Sequence, residues 1–402
     1  MNSAATNHHD DTTSPPAIAL SALFLKFLRF GALAFGGPVA QIAMLRQALV
    51  EDERWIGKAR FNRLLAILQI LPGPEAHELC VHLGMIARGR LGGLLAGLGF
   101  MLPGFSLMLL AGWIYVTWVA ARSGWSGVLL GVQIVVLAVI LRSVVRIGQH
   151  IIEGRVLALV AVASLAATLA GVPFWIPLLA GGLVYALSRR VGLAALVMAC
   201  AAALSWLLTT SMAPSTASLA TGATASAPAL FLAGLKGGLL TFGGAYTAIP
   251  YVRADTVGRG WISDATFLDG IAIAGLLPAP LVIFATFVGY VAGGLVGALA
   301  ITAGMFLPAF AFSLILFERL EAVIEHPALH RVLAGVAAAV VGIIGATFVN
   351  LARATAANVS ASSVAIAIFA MALAAAWRLK GAWVTPALLV CGAVLGWSLL
   401  TP

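Results

Sequence analysis

Two stretches of this chain repeat the same apolar text, and proline and glycine interrupt it at matching places. That repetition restricts the fold more than any other feature. The first copy reads Phe35-Gly36-Gly37, Trp55-Ile56, Phe61, Leu71-Pro72-Gly73-Pro74 and Leu102-Pro103-Gly104-Phe105. The second reads Phe242-Gly243-Gly244, Trp261-Ile262, Phe267, Leu277-Pro278-Ala279-Pro280 and Leu307-Pro308-Ala309-Phe310. The copies are offset by 207 residues at the first motif, 206 at the Pro-x-Pro and 205 at the last. Gly84, Gly89 and Gly92 match Gly289, Gly294 and Gly297 at the same 205. So steady an offset marks an internal duplication. Helix breaks at corresponding places of two apolar halves point to a transporter's binding site.

Composition sets the solvent. Hydrophobic residues make up 62% of the chain and charged residues 9%, against roughly 25% charged in a water-soluble domain. The chain is therefore expected to be an all-α polytopic membrane protein. Its net charge of +9 does not argue for nucleic acid, because the basic residues sit at the ends of apolar segments. Cys80, Cys200 and Cys391 lie far apart in apolar runs, with neither metal-ligand nor disulfide spacing. The reading calls for no cofactor and no metal.

Four regions are expected. Residues 1–16 are a polar tail lacking the basic start and cleavage site of a signal peptide, read as disordered. Residues 17–190 are the first repeat. Residues 191–228 are a connecting helix and a Ser/Thr/Ala-rich linker, and residues 229–402 are the second repeat. The broken segments 17–50 and 62–87, with their counterparts, read as re-entrant hairpins or kinked spans. Segments 91–121 and 293–317 are long enough to cross the roughly 30 Å hydrocarbon. Segments 155–172 and 174–188 are short, suited to a tilted or shallow hairpin. If the broken segments each return to the side they left, sixteen basic residues fall inside and five outside, leaving aside Lys26 and Arg29. Arg142 and Arg146 are among the inside set. That asymmetry fits two repeats of opposite orientation.

The breaks are the candidate site. A Pro-rich interruption leaves backbone N–H groups without helical partners, and the half-helix after it begins with its positive dipole end. An oxyanion can satisfy both. The substrate-binding set is therefore Gly36, Gly37, Pro38 and Gln41 with Pro72, Gly73 and Pro74 in the first copy. In the second it is Gly243, Gly244 and Thr247 with Pro278, Ala279 and Pro280. Glu75, His77 and Glu78 follow one break and no carboxylate follows its counterpart, so they are the candidates for carrying a coupling proton. Arg54 and Arg253 lie between the broken segments and could attract the anion, or pair locally with Glu51 or Asp255. Cys80 and His82 read as packing residues, and Trp55 and Trp261 as interfacial anchors. Gly89, Gly92, Gly93 and Gly97, with Gly293, Gly294 and Gly297, read as small-residue helix contacts. Two other classes compete with the transporter. A passive anion channel would not need the titratable cluster. An intramembrane lipid-phosphate phosphatase would want a nucleophile, for which Ser106 and His77 are nearest, beside a clustered Arg.

Phe-Gly-Gly-Pro-x-Ala-x-Ile (35–42), Asp-x-x-Trp-Ile (52–56), Leu-Pro-Gly-Pro-Glu-Ala (71–76) and Gly-Gly-x-x-Ala-Gly-x-x-Phe-x-Leu-Pro-Gly (92–104) closely resemble the chromate transporter family. So do Thr-Phe-Gly-Gly-Ala (241–245) and Phe-Val-Gly-Tyr with Phe-Leu-Pro-Ala-Phe (287–310). The resemblance covers roughly residues 20–400. It implies a multi-pass protein of the bacterial inner membrane with two inverted halves. It also implies export of chromate, with sulfate as competitor, and not an enzyme; a homodimer is compatible with it. The chain departs from the family pattern at Gln41, often His; at Glu78, often a neutral amide; and at Ala279, where the second Pro-x-Pro lacks its glycine.

Overall fold

The computed structural model describes residues 17–35, 37–68, 73–119, 125–211, 225–241, 245–316, 327–359, 361–379, 381 and 383–400. The N-terminal tail, most of the linker, and Gly36, Pro72, Gly243 and Gly244 lie outside the described residues. All regular structure described is helical. The first copy contains α1 (Leu20–Ala32), α2 (Gly37–Arg46), α3 (Lys58–Leu68), α4 (Glu75–Ile114), α5 (Ser126–Ile151), α6 (Arg155–Leu169) and α7 (Trp175–Ala186). The connecting helix is α8 (Val191–Ser211). The second copy contains α9 (Ala227–Leu239), α10 (Ile249–Thr256), α11 (Asp264–Leu276), α12 (Phe284–Ala311), α13 (Pro327–Ala356), α14 (Ser362–Arg378) and α15 (Val384–Leu399).

The 40 residues of α4 would make a rod of about 60 Å, twice the hydrocarbon thickness. They do not form one. Arg88 (φ −144°, ψ 31°) and Gly89 (φ 62°, ψ −159°) leave helical geometry and reverse the chain. Gly84 then lies against the carbonyl of Gly92, and Val81 against Gly93 and Gly97, so the first leg folds back on the second. In α12, Gly293 (φ −148°, ψ 22°) and Gly294 (φ 63°, ψ −155°) make the same turn, and Gly289 meets Gly297. The first leg, from Glu75 to Arg88, is about 21 Å long and stops inside the bilayer; the second crosses it. The second broken segment of each copy is therefore a re-entrant hairpin. Gly89 and Gly294 turn out not to be packing glycines. A Cβ on either would meet nothing within 4 Å; what each position needs is the left-handed backbone. Gly92, Gly93, Gly97 and Gly297 are close contacts, as expected. The short segments α6 and α7 form a hairpin about Gly171 (φ 81°).

The copies interlock. Within each, the first helix packs on the crossing leg: Gly31 against the Phe100 carbonyl in one, Gly238 against the Met305 carbonyl in the other. Between them, α5 of the first copy packs on α14 and α15 of the second, and α13 of the second on α6 and α7 of the first. The register is shared as well. A Cβ on Gly131 would stand 2.1 Å from the Gly392 carbonyl, and one on Gly335 would stand 2.3 Å from that of Gly181. Such backbone approaches replace the missing hydrophobic drive between helices in lipid.

Equivalent helices run antiparallel where they meet. Gly97 faces Phe310 while Gly93 faces Leu314, and Gly148 faces Val341 while Gly345 faces Val144. A two-fold axis relating antiparallel helices is perpendicular to them. With those helices crossing a membrane, the axis lies in its plane and the repeats are inverted. Among the described residues four helical stretches, Glu75–Val119, Ser126–Ile151, Leu281–Ile315 and Arg331–Ala356, are long and apolar enough to span.

Two expectations about the loops are overturned. Trp55 is no interfacial anchor. It is 1% exposed, donates its indole N–H to Glu53 at 2.9 Å and lies 5.1 Å below the Lys26 ammonium, which also pairs with Glu53. Glu51 does not pair with Arg54. Lys58 at 2.8 Å and Arg46 at 3.7 Å take it, and the Lys58 hydrogen bond holds its carboxyl below the usual range. Likewise Arg253 forks onto Asp264 at 2.6 and 2.8 Å, while Asp255 receives Lys236 and Arg259.

Candidate functional site: a cavity where the helix breaks of the two copies meet

The breaks meet across the two-fold. Gln41, in the first turns of α2, donates its amide Nε2 to Ala34 at 2.8 Å and to Ala279 of the other copy at 3.0 Å. The Gly73 N–H donates to the Thr241 carbonyl at 2.8 Å. Each Pro-x-Pro break is thereby tied to the first break of the opposite copy. The third repeated motif joins them. A Cβ on Gly104 would stand 2.3 Å from the Ala279 methyl, and one on Gly73 would stand 3.3 Å from the Ala309 methyl. Each pair thus holds one glycine and one alanine. This accounts for Ala279 in place of a glycine: Gly104 leaves room for its methyl. Irregular backbone at this depth is tolerated because protein groups satisfy it.

Beside this junction lies a cavity of about 330 Å³. Gly37, Pro38 and Val39 line it at the N-terminus of α2, with Glu75 at the start of α4. The second copy contributes Ala245, Tyr246, Ala274, Gly275, Leu277, Ala279, Leu281 and Thr385. The remaining wall is α5, with Val139, Arg142, Ser143, Arg146, Ile147 and His150. At roughly 30 Å³ per water, the volume has room for about ten waters.

The expected residues separate on this geometry. Gly37, Pro38, Ala279 and Glu75 reach the cavity. Gln41 is 1% exposed and spends both amide protons on carbonyls. Gly73 spends its N–H on Thr241 and sits at φ 147°. Pro74 precedes α4 in extended conformation. Thr247 is buried; its neighbour Tyr246 lines the cavity instead. Pro278 and Pro280 flank Ala279 without lining it. His77 and Glu78 are wholly buried behind the junction. The His77 ring lies edge-on to Phe306 and Phe310, 4.9 and 4.8 Å between centroids. Both its nitrogens lack a hydrogen-bond partner of normal geometry. Neither Glu78 oxygen has a partner, and Oε1 stands 2.5 Å from where a Cβ on Gly73 would be. Arg54 is exposed with left-handed backbone (φ 53°), and Arg253 is engaged by Asp264. Neither lines the cavity. Ser106 is exposed on α4, away from it. Among the described residues no cluster could hold a metal ion.

Two polar groups escaped the sequence. One is the basic face of α5, visible there only as positive charge at a span's end. The other is Asp269, 2% exposed on α11. It accepts from the Tyr115 hydroxyl at 2.7 Å and from Gln133 Nε2 at 2.8 Å. Its partners lie 154 and 136 residues away, and no local pattern announces such a contact. A second cavity of about 430 Å³, between α6, α7 and α8, is lined by apolar side chains and Ser164 and Ser205, and carries no charge.

The chain has relatives among known proteins. The chain is 53% identical to the chromate transport protein of Pseudomonas aeruginosa, over 96% of this chain and 95% of the relative. It is 30% identical to the chromate transport protein of Cupriavidus metallidurans, over 89% of each. To the probable chromate transport protein of Synechococcus elongatus it is 27% identical, over 95% and 97%. No solved structure matches significantly. The profile of the chromate transporter family matches twice, over residues 21–187 and 228–397, once per copy, and with these relatives the match establishes that this multi-pass, all-helical chain belongs to the chromate transporter family.

Proposed function

We propose that the protein is a secondary transporter exporting a tetrahedral oxyanion, chromate with sulfate as competitor, across the bacterial inner membrane. The observation that carries this reading is the reciprocal junction of helix breaks from two inverted copies beside a charged cavity. The names of the relatives supply chromate; the junction supplies a place where one site can face either side by rocking one copy against the other. The N-terminus of α2 contributes its positive dipole end to the cavity. Glu75 at the cavity wall, with Glu78 and His77 behind it, forms the route for a coupled proton. Their placement in one copy only makes that route asymmetric.

Gly73 is the sharpest handle. Its φ of 147° disfavours any side chain, and a Cβ would collide with Glu78. Gly73→Leu is expected to abolish chromate tolerance of expressing cells at membrane levels matched to wild type. Equal tolerance in the two strains would make the break a packing kink. The direct measurement is uptake of labelled chromate and sulfate into inverted vesicles, with and without a pH gradient. Chromate accumulation that sulfate inhibits and the gradient alters is expected. Uptake indifferent to the gradient would remove the proton, and absence of uptake by wild type would remove chromate.

A further inference from the structure

Among the described residues no salt bridge reaches Arg142 or Arg146 on the basic face of α5, and Glu75 is the carboxylate that shares their cavity. Arg142, Arg146 and His150 are spaced four apart, so they share one side of the helix, and all three line the cavity. Like charges at that spacing destabilise a helix, and the two guanidinium groups are near enough to repel. Lys26, Lys58, Lys236, Arg253 and Arg259 each reach a carboxylate; Arg142 and Arg146 do not. Basic residues at the inner end of a span are ordinary when they face water or headgroups. Here they line a cavity between the copies: Arg142 is half-buried with the Tyr246 ring beside it, and Arg146 and His150 are exposed. The duplication does not require them, since the matching positions of α13 are Ala346, Asn350 and Ala354. Meanwhile the donors expected at the breaks are occupied, Gln41 by two carbonyls and Gly73 by one. A ligand in this cavity therefore finds its strongest donors on α5.

We propose that Arg142 and Arg146 form a dianion-binding site, and that Glu75 across the cavity competes electrostatically with the anion for it. This rests on the oxyanion-transport reading above and locates its specificity. Each guanidinium offers a planar fork of donors matched to a pair of oxygens. A tetrahedral dianion presents two such pairs and cancels both charges; chloride can do neither. An ionised Glu75 lowers the positive potential that attracts the anion, so a neutral side chain there strengthens binding.

Purified protein and inverted vesicles test this together. The thermal midpoint is measured in sulfate, chromate and chloride at equal ionic strength, for wild type, Arg142→Gln, Arg146→Gln, Arg142→Lys and Glu75→Gln. Both dianions are expected to raise the wild-type midpoint above its value in chloride. That increment should vanish in both Gln variants and shrink in the Lys variant. Removing one charged, forked contact should raise the KM of uptake roughly tenfold or more, while Glu75→Gln lowers the concentration of sulfate needed for half the increment. A merely structural role for the arginines would lower the midpoint in chloride and leave the dianion increment intact. Increments equal in wild type and both Gln variants overturn the site and leave oxyanion transport standing. A sulfate increment that needs the arginines, with no chromate uptake by wild type, supports the site and removes chromate. No increment with either dianion overturns both. An unchanged sulfate requirement in Glu75→Gln overturns the competition.

Discussion

Gly104 and Ala279 share the space of one methyl group, and their pairing is the residue-scale logic of the whole junction. The Ala279 methyl fills what Gly104 leaves open, and the Ala309 methyl does the same over Gly73. The close-packed contact has no slack for a second carbon. Gly104→Ala should overpack the junction and cost about 1–3 kcal/mol. Ala279→Gly in the same chain should recover most of that. The double-mutant cycle, read from unfolding midpoints in detergent, is expected to show strong coupling between these sites, 175 residues apart in sequence. Additive effects would mean the two do not touch. Composition and motif spacing mark Gly104 and Ala279 as special, and so make the breaks legible. They cannot show that the breaks satisfy one another. Gln41 reads as a free donor beside a break, yet its protons go to Ala34 and Ala279. Arg142 reads as a topological charge, yet it lines the cavity. Both depend on partners from elsewhere in the chain, which no local pattern encodes.

At the scale of elements, the re-entrant hairpin is the unit repeated most faithfully. Its turn in each copy agrees to better than about 10° in φ and ψ, at Arg88-Gly89 and Gly293-Gly294. A side chain at the second position is disfavoured by the backbone rather than by crowding, since nothing lies within 4 Å of either glycine's missing Cβ. Gly89→Ala and Gly294→Ala should therefore cost similar amounts, about 1–3 kcal/mol each, the strain of a side chain at positive φ with ψ of −159° and −155°. Gly84 and Gly289 are a different case, because a Cβ there would stand 2.5 Å from a backbone carbonyl of the facing leg. Thermal midpoints of the four Ala variants distinguish these causes: mild and matched losses at the turn, larger ones between the legs. Equal losses at all four would refute the distinction. The sequence carries the hairpin's length, glycines and repetition. It does not distinguish a glycine needed for its φ from one needed for its size, because both are the same letter. Trp55 fails for a related reason. A tryptophan beside charged residues reads as an interfacial anchor, and only the fold reveals Lys26 above it and Glu53 beneath its N–H.

For the whole molecule, the fold is symmetric and the chemistry is not. Helices α5 and α13 exchange equivalent contacts with the other copy's terminal hairpin, and equivalent helices meet antiparallel. Yet Glu75 faces a cavity whose symmetry partner at position 281 is leucine, and the arginines of α5 match alanine and asparagine on α13. A duplicated scaffold can rock between two related states of similar energy, and unequal charges let those states bind a ligand differently. This depends on the inversion, which the antiparallel meeting of α4 with α12 and of α5 with α13 supports, and with which the basic-residue count agrees once the broken segments are taken to return to the side they left. Gly57 and Arg259 occupy corresponding loops between the broken segments, before α3 and before α11. With the native cysteines replaced, Gly57→Cys and Arg259→Cys should react with a membrane-impermeant maleimide from opposite sides. In right-side-out vesicles Arg259→Cys labels and Gly57→Cys does not, and in inverted vesicles the order is exchanged. Labelling of both from one side would place the two-fold axis along the membrane normal. The antiparallel helices would then have to lie within the membrane plane, which the crossing legs of α4 and α12, buried on the partner and apolar over the rest of their surface, do not allow.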